Sequence, residues 1–60
     1  MNEYSVMATN KEGEREVIIR TKSKGFAERT AKRTKQKGCT KIFIDTFDED
    51  NDLIDYVAVN

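Results

Sequence analysis

The acidic run Asp48-Glu49-Asp50-Asn51-Asp52 is the first place to look for chemistry, because Asp48, Asp50 and Asp52 stand at the first, third and fifth positions of a calcium-binding loop. The match ends there. Leu53 occupies the position that calls for glycine, Val59 the position that calls for a bidentate glutamate, and both flanks read as strands instead of helices. A solvated hairpin turn accounts for the run, and no metal site is expected. Asp45 and Asp55, expected to face each other across a hairpin, suggest paired carboxylates for acid-base work. Nothing around them supplies a nucleophile or a histidine, and a charged outer sheet face that resists edge-to-edge aggregation is the better reading.

Cys39, flanked by Lys37 and Lys41, has the neighbours that lower a thiol pKa, but no catalytic partner accompanies it. It reads as a small, half-buried apolar residue at a helix-to-strand junction. No catalytic residue and no cofactor are expected.

The basic stretch carries the strongest functional signal. The chain has 11 basic and 11 acidic residues, no histidine and one cysteine, for a net charge of zero. That neutrality hides a segregation: residues 1–19 sum to −2, residues 20–41 to +8 with Glu28 as their single acid, and residues 45–55 to −6 with no base. Arg29, Lys32, Arg33, Lys35 and Lys37 would neutralise phosphates on a nucleic acid in a salt-sensitive way. Gln36 is the one neutral amide donor on the same stretch and no aromatic lies on that face, so base reading and single-strand stacking are poorly provided for. A solvated lysine-rich face, or one that docks on an acidic protein surface, is preferred.

The elements that position these residues follow from periodicity. Tyr4, Val6 and Ala8 alternate with Ser5, Met7 and Thr9, a strand over 3–9. Asn10 to Glu14 supplies turn residues, with Gly13 available for a positive φ, and the β-branched run Val17-Ile18-Ile19 marks a second strand over 15–21. Ser23 suits an N-cap and Gly38 a C′ position, bracketing a helix that runs to about Lys37. Its apolar stripe, Phe26, Ala27, Thr30, Ala31 and Thr34, is thin, with Phe26 the expected anchor. Strands over 40–47 and 53–59 flank the acidic turn.

The expected fold is therefore α+β, with the order β-β-α-β-β in one domain over residues 1–60. A small, mainly antiparallel four-stranded sheet would carry one helix on one face. Strand orders 2-1-3-4 and 1-2-4-3 both keep every neighbour antiparallel. At this length only about 60% of the unfolded surface is buried, so stability is marginal and a partner would help. One cysteine excludes a disulfide framework. No apolar run is long enough to cross a membrane, and the first fifteen residues carry acids instead of a basic and then apolar signal segment, so a cytoplasmic location is expected.

If the second hairpin is centred on Asp50, Phe43 faces Val57, Asp45 faces Asp55 and Phe47 faces Leu53. Ile42, Ile44, Ile54, Tyr56 and Ala58 then lie under the helix, with Tyr4, Val6, Val17 and Ile19 completing the core. The outer face displays Met7, Ile18, Phe43, Phe47, Leu53 and Val57, a cluster of the kind used for a partner or a homodimer. The function expected is a small non-enzymatic protein-binding module, regulatory or inhibitor-type, of the kind encoded by phages and mobile elements. It would act through the apolar sheet face and the segregated charges. The alternative is a nucleic-acid-binding accessory protein using the basic helix.

Overall fold

Alternating apolar residues build the strands and a short small-residue stripe builds the helix, in the order β1 (Glu3–Thr9), β2 (Arg15–Thr21), α1 (Lys24–Gln36), β3 (Thr40–Phe47) and β4 (Leu53–Val59). The structure is a computed structural model and describes residues 2–59. All three strand pairings are antiparallel and the sheet order is β2-β1-β3-β4, the first of the two expected orders.

The helix starts where Ser23, in extended backbone, accepts a hydrogen bond from the Phe26 N–H at 3.2 Å. It ends with Lys37 as C-cap, after which Gly38 takes φ +91°, the left-handed C′ conformation that glycine adopts without a side-chain clash. Ala27, Ala31 and Thr34 are its buried residues. They meet Val6, Ala8 and Ile42 from the sheet, with Tyr4, Ile19, Cys39, Ile44 and Val59 packed around them. Phe26, expected as the anchor, is 42% exposed. Alanines replace it because a small stripe lets the helix backbone lie close on the strands, whereas Phe26 projects about 100° away from Ala27 around the helix axis.

A helix about 10 Å across cannot cover four strands spaced about 4.8 Å apart. Here α1 packs on β1, β2 and β3, and β4 lies beyond it. The core is accordingly small, with Val6 the largest completely buried side chain.

Both hairpins close with the same loop. The Asn10 N–H donates to the Glu14 carbonyl at 2.8 Å, the Gly13 N–H to the Asn10 carbonyl at 3.0 Å, and Asn10 Oδ1 accepts from the Glu12 and Glu14 N–H groups at 2.9 Å. In the second, Asp48 takes the place of Asn10, Asp52 of Glu14 and Asn51 of Gly13, with φ +65° at Asn51 and +84° at Gly13. The side chain at the first position satisfies the loop N–H groups, and the fourth must tolerate left-handed backbone.

Three bulges set the register. Val6 pairs with Ile19 but Met7 pairs with Val17, so Ile18 is the extra residue of β2. Lys41, at φ +50°, lies in the irregular stretch of β3 opposite Ala8. Thr46 pairs with Asp55 and Phe47 with Leu53, so Ile54 is the extra residue of β4. Directly paired residues share a sheet side. Val17 therefore stands with Met7 on the face away from the helix, 60% exposed, and not in the core. The β4 bulge likewise overturns the register centred on Asp50. Phe43 pairs with Ala58, Asp45 with Tyr56 and Ile44 with Val57. Tyr56 and Ala58 are thus on the outer face, and Val57 on the helix side. A bulge also removes the direct Asp45–Asp55 opposition, in which two carboxylates would repel.

Candidate partner-binding surface

The outer face begins with β1 and β3 at its centre. Met7 pairs with Phe43, Ser5 with Asp45 and Glu3 with Phe47. Arginines from β2 reach across them. The Arg20 guanidinium lies 4.5 Å from the Phe47 ring centroid, its Nε donates to Glu3 Oε2 at 2.6 Å, and its Nη2 donates to Asn51 Oδ1. The Arg15 guanidinium lies 5.6 Å from the Phe43 centroid and 3.9 Å from Asp45 Oδ2. A cation over an aromatic face is attracted by the ring quadrupole and covers apolar area with its stem. Phe43 and Phe47 are consequently half-buried, as is Met7 between β2 and β3, and Ser5 is buried on a face that carries no helix.

Of the six residues expected to form the outer cluster, the structure therefore brings Met7, Phe43, Phe47 and Leu53 together. Ile18 is exposed as the extra residue of β2, and Val57 is turned to the other side. Tyr56 takes the place expected for Val57: its ring is 6.4 Å from that of Phe43, tilted by 60°. Phe43, Leu53 and Tyr56 line a shallow cleft of about 210 Å³ with Arg15 and Asp45. Nothing in the local sequence marks Tyr56 as outward, since β4 is apolar at both odd and even positions.

On the helix side a wider cleft of about 410 Å³ runs between α1 and β4, lined by Tyr4, Ile44, Ile54 and Val57 with Lys24, Glu28 and Asp55 at its rim. Strand β4 is thus open on both faces: Leu53, Ile54, Tyr56 and Val57 are each more than half exposed. Fully burying such a side chain gains about 1.5–3 kcal/mol, so each leaves roughly half of that unrealised.

The remaining candidates resolve more simply. Arg29, Lys32 and Arg33 point away from the sheet, lying 140° to 240° around the helix from Ala27 by the 100° step, and all are exposed. Lys35 and Lys37, also exposed, flank that stripe. Among the described residues none of the five is within ion-pair distance of an acid. The Asp48, Asp50 and Asp52 carboxylates have oxygens within 4.8 Å of one another, but Asp48 Oδ1 accepts two loop N–H groups, the same work Asn10 does in the first hairpin. The acidic loop is explained by turn geometry. Cys39 packs against the core, half-buried, as a small apolar residue.

Among the described residues no helix is long and apolar enough to cross a membrane. No protein-family model, curated protein or solved structure matches the chain.

Proposed function

We propose that this chain is a small, non-enzymatic protein-binding module of regulatory or inhibitor type, acting in the cytoplasm by offering β4 as a docking edge. The observation that carries this reading is the exposure of β4 on both faces, with Tyr56 at 66%. An edge strand with apolar side chains on alternate sides can add a partner's strand by main-chain hydrogen bonds, while the flanking clefts select side chains. Arg15 and Arg20 then act as a polar rim, holding the outer aromatics in place for the partner.

The test is capture from nuclease-treated host extract with the wild-type chain and with Tyr56→Lys. A stoichiometric protein held by the wild type and lost with Tyr56→Lys supports the reading; equal capture by both refutes it. A second reading, nucleic-acid binding through the helix, is favoured by the outward, exposed stripe of Arg29, Lys32 and Arg33, which forms no ion pair among the described residues. Reversal of these three charges should then abolish duplex binding at low salt and flatten its salt dependence. Binding that is absent in the wild type, or unchanged in the reversal variant, removes that alternative.

A further inference from the structure

We infer that the partner at β4 is a second copy of this chain: two β4 strands pair antiparallel about a two-fold axis through Tyr56, making an eight-stranded sheet with both helices on one side. This rests on β4 being the docking edge and names its occupant.

The two free edges of the sheet differ in how they resist pairing. Strand β2 carries Arg15, Glu16 and Arg20, and its bulge sits at mid-strand. Those are the devices by which edges avoid one another. Strand β4 has Asp55 as its one charge, and its bulge lies near its start, leaving Tyr56 to Val59 regular and uncharged. An edge this apolar is an aggregation hazard unless something occupies it.

Symmetry then selects the pairing. A strand that pairs antiparallel with its own copy must match residues of the same sheet side, so the axis passes through a residue position. Centred on Tyr56, each Asp55 meets Val57 of the second copy and no like charges stand opposite. Both Tyr56 rings join the Phe43 rings on the outer face. The Tyr56 N–H at present donates to Asp55 Oδ1 at 2.9 Å, a local acceptor that a carbonyl of the second copy would replace.

Charge fits the same arrangement. Antiparallel pairing carries the acidic turn of one copy to the far end of the other's β4, where Val59 pairs with Ile42. The backbone of Lys41, next to Ile42, then lies about two strand spacings, roughly 10 Å, from that turn, a gap its long flexible side chain can narrow to within the screening length. The two acidic turns end up about 20 Å apart along the strand, beyond the screening length of about 8 Å at physiological salt.

The area fits a weak dimer. A 6.9 kDa monomer is expected to expose about 4,000 Å², whereas this chain exposes 4469 Å². Covering that excess on two copies would bury roughly 900–1,000 Å², below the ~1,200 Å² at which standard specific interfaces begin and in the range of weak, transient ones, so a weak dimer is expected.

Cross-linking tests the geometry. In a Cys39→Ser background, Tyr56→Cys should give a disulfide-linked dimer on mild oxidation, because residues facing across the axis have Cα atoms about 4.5–5.5 Å apart. Val17→Cys, on the other edge, should not. Sedimentation equilibrium from about 5 to 500 μM should show a monomer–dimer equilibrium in the wild type, weakened about tenfold or more by Tyr56→Lys, which sets two lysines face to face. A wild type that is monomeric throughout, or a Val17→Cys chain that cross-links as readily, overturns the inference. Capture of another protein that depends on Tyr56 by a chain that stays monomeric overturns self-pairing and leaves the protein-binding reading standing.

Discussion

Val6 and Val17 are both β-branched, both in the middle of strands of the first hairpin, and both read as core residues from the sequence. The structure separates them. Val6 is completely buried on the helix side of β1, paired with Ile19 and Ile44, while Val17 is 60% exposed with Met7 on the outer face. Truncation of each to alanine removes the same two methyl groups and should have very different effects. At Val6 the lost transfer free energy is about 1.6 kcal/mol, at ~0.8 kcal/mol per carbon. A residual void of some 30–40 Å³ adds about 0.7–1 kcal/mol at ~24 cal/mol per Å³. The sum, about 2.5 kcal/mol, is a large share of a total that for this length falls near 3–9 kcal/mol. Val6→Ala should therefore lower Tm by roughly 10–20 °C, given about 4–8 °C per kcal/mol in domains of this size. Val17→Ala, already largely solvated, should change stability by less than about 0.5 kcal/mol. Urea and thermal unfolding followed by far-ultraviolet circular dichroism, at one fixed protein concentration, reads both. Equal destabilisation by the two substitutions would refute the bulge at Ile18 and with it the register of β2.

The matched hairpin loops predict matched sensitivities: Gly13→Ala and Asn51→Ala should each cost about 1–2 kcal/mol in chemical denaturation, since both force alanine into left-handed backbone, while Asn51→Gly should cost less than Asn51→Ala. Ser23→Ala removes the acceptor for the Phe26 N–H and should destabilise by about 1 kcal/mol, visible as a lowered urea midpoint at unchanged slope. Ala31→Leu should destabilise by roughly 1–3 kcal/mol despite the added apolar area, because the completely buried Ala31 holds α1 close on the sheet and leaves no room for three more carbons; a gain in Tm would show that the helix stands off further than described.

What was legible in the sequence were features written within a few residues. The strand alternation, the Ser23 cap, the Gly38 stop and the turn residues all predict elements that the structure contains. The face assignments were harder for a definite reason. In β1, apolar Tyr4, Val6 and Ala8 alternate with Ser5 and Thr9, and the pattern puts them under the helix as observed. In β2 and β4 the runs Val17-Ile18-Ile19 and Tyr56-Val57-Ala58-Val59 are apolar at both parities, so a slip of one residue leaves the pattern unchanged. Single bulged residues, Ile18 and Ile54, then decide which side chains point where. The candidate surface inherits this: Phe43, Phe47 and Leu53 were identifiable, whereas Tyr56 replaced Val57 only once the register was known.

The role of Arg15 and Arg20 was hidden for a related reason. Their charges are visible in the sequence, but lying over Phe43 and Phe47 depends on β2 and β3 standing on either side of β1, and that contact spans some thirty residues of chain.

The sequence by itself determined the order β-β-α-β-β, the helix limits, the two turns and the separation of a basic helix from an acidic hairpin, because each depends on local propensity or on charge alone. Only the tertiary structure decided which strand goes uncovered. One helix spans fewer than four strands, and the order β2-β1-β3-β4 leaves β4 outside its reach.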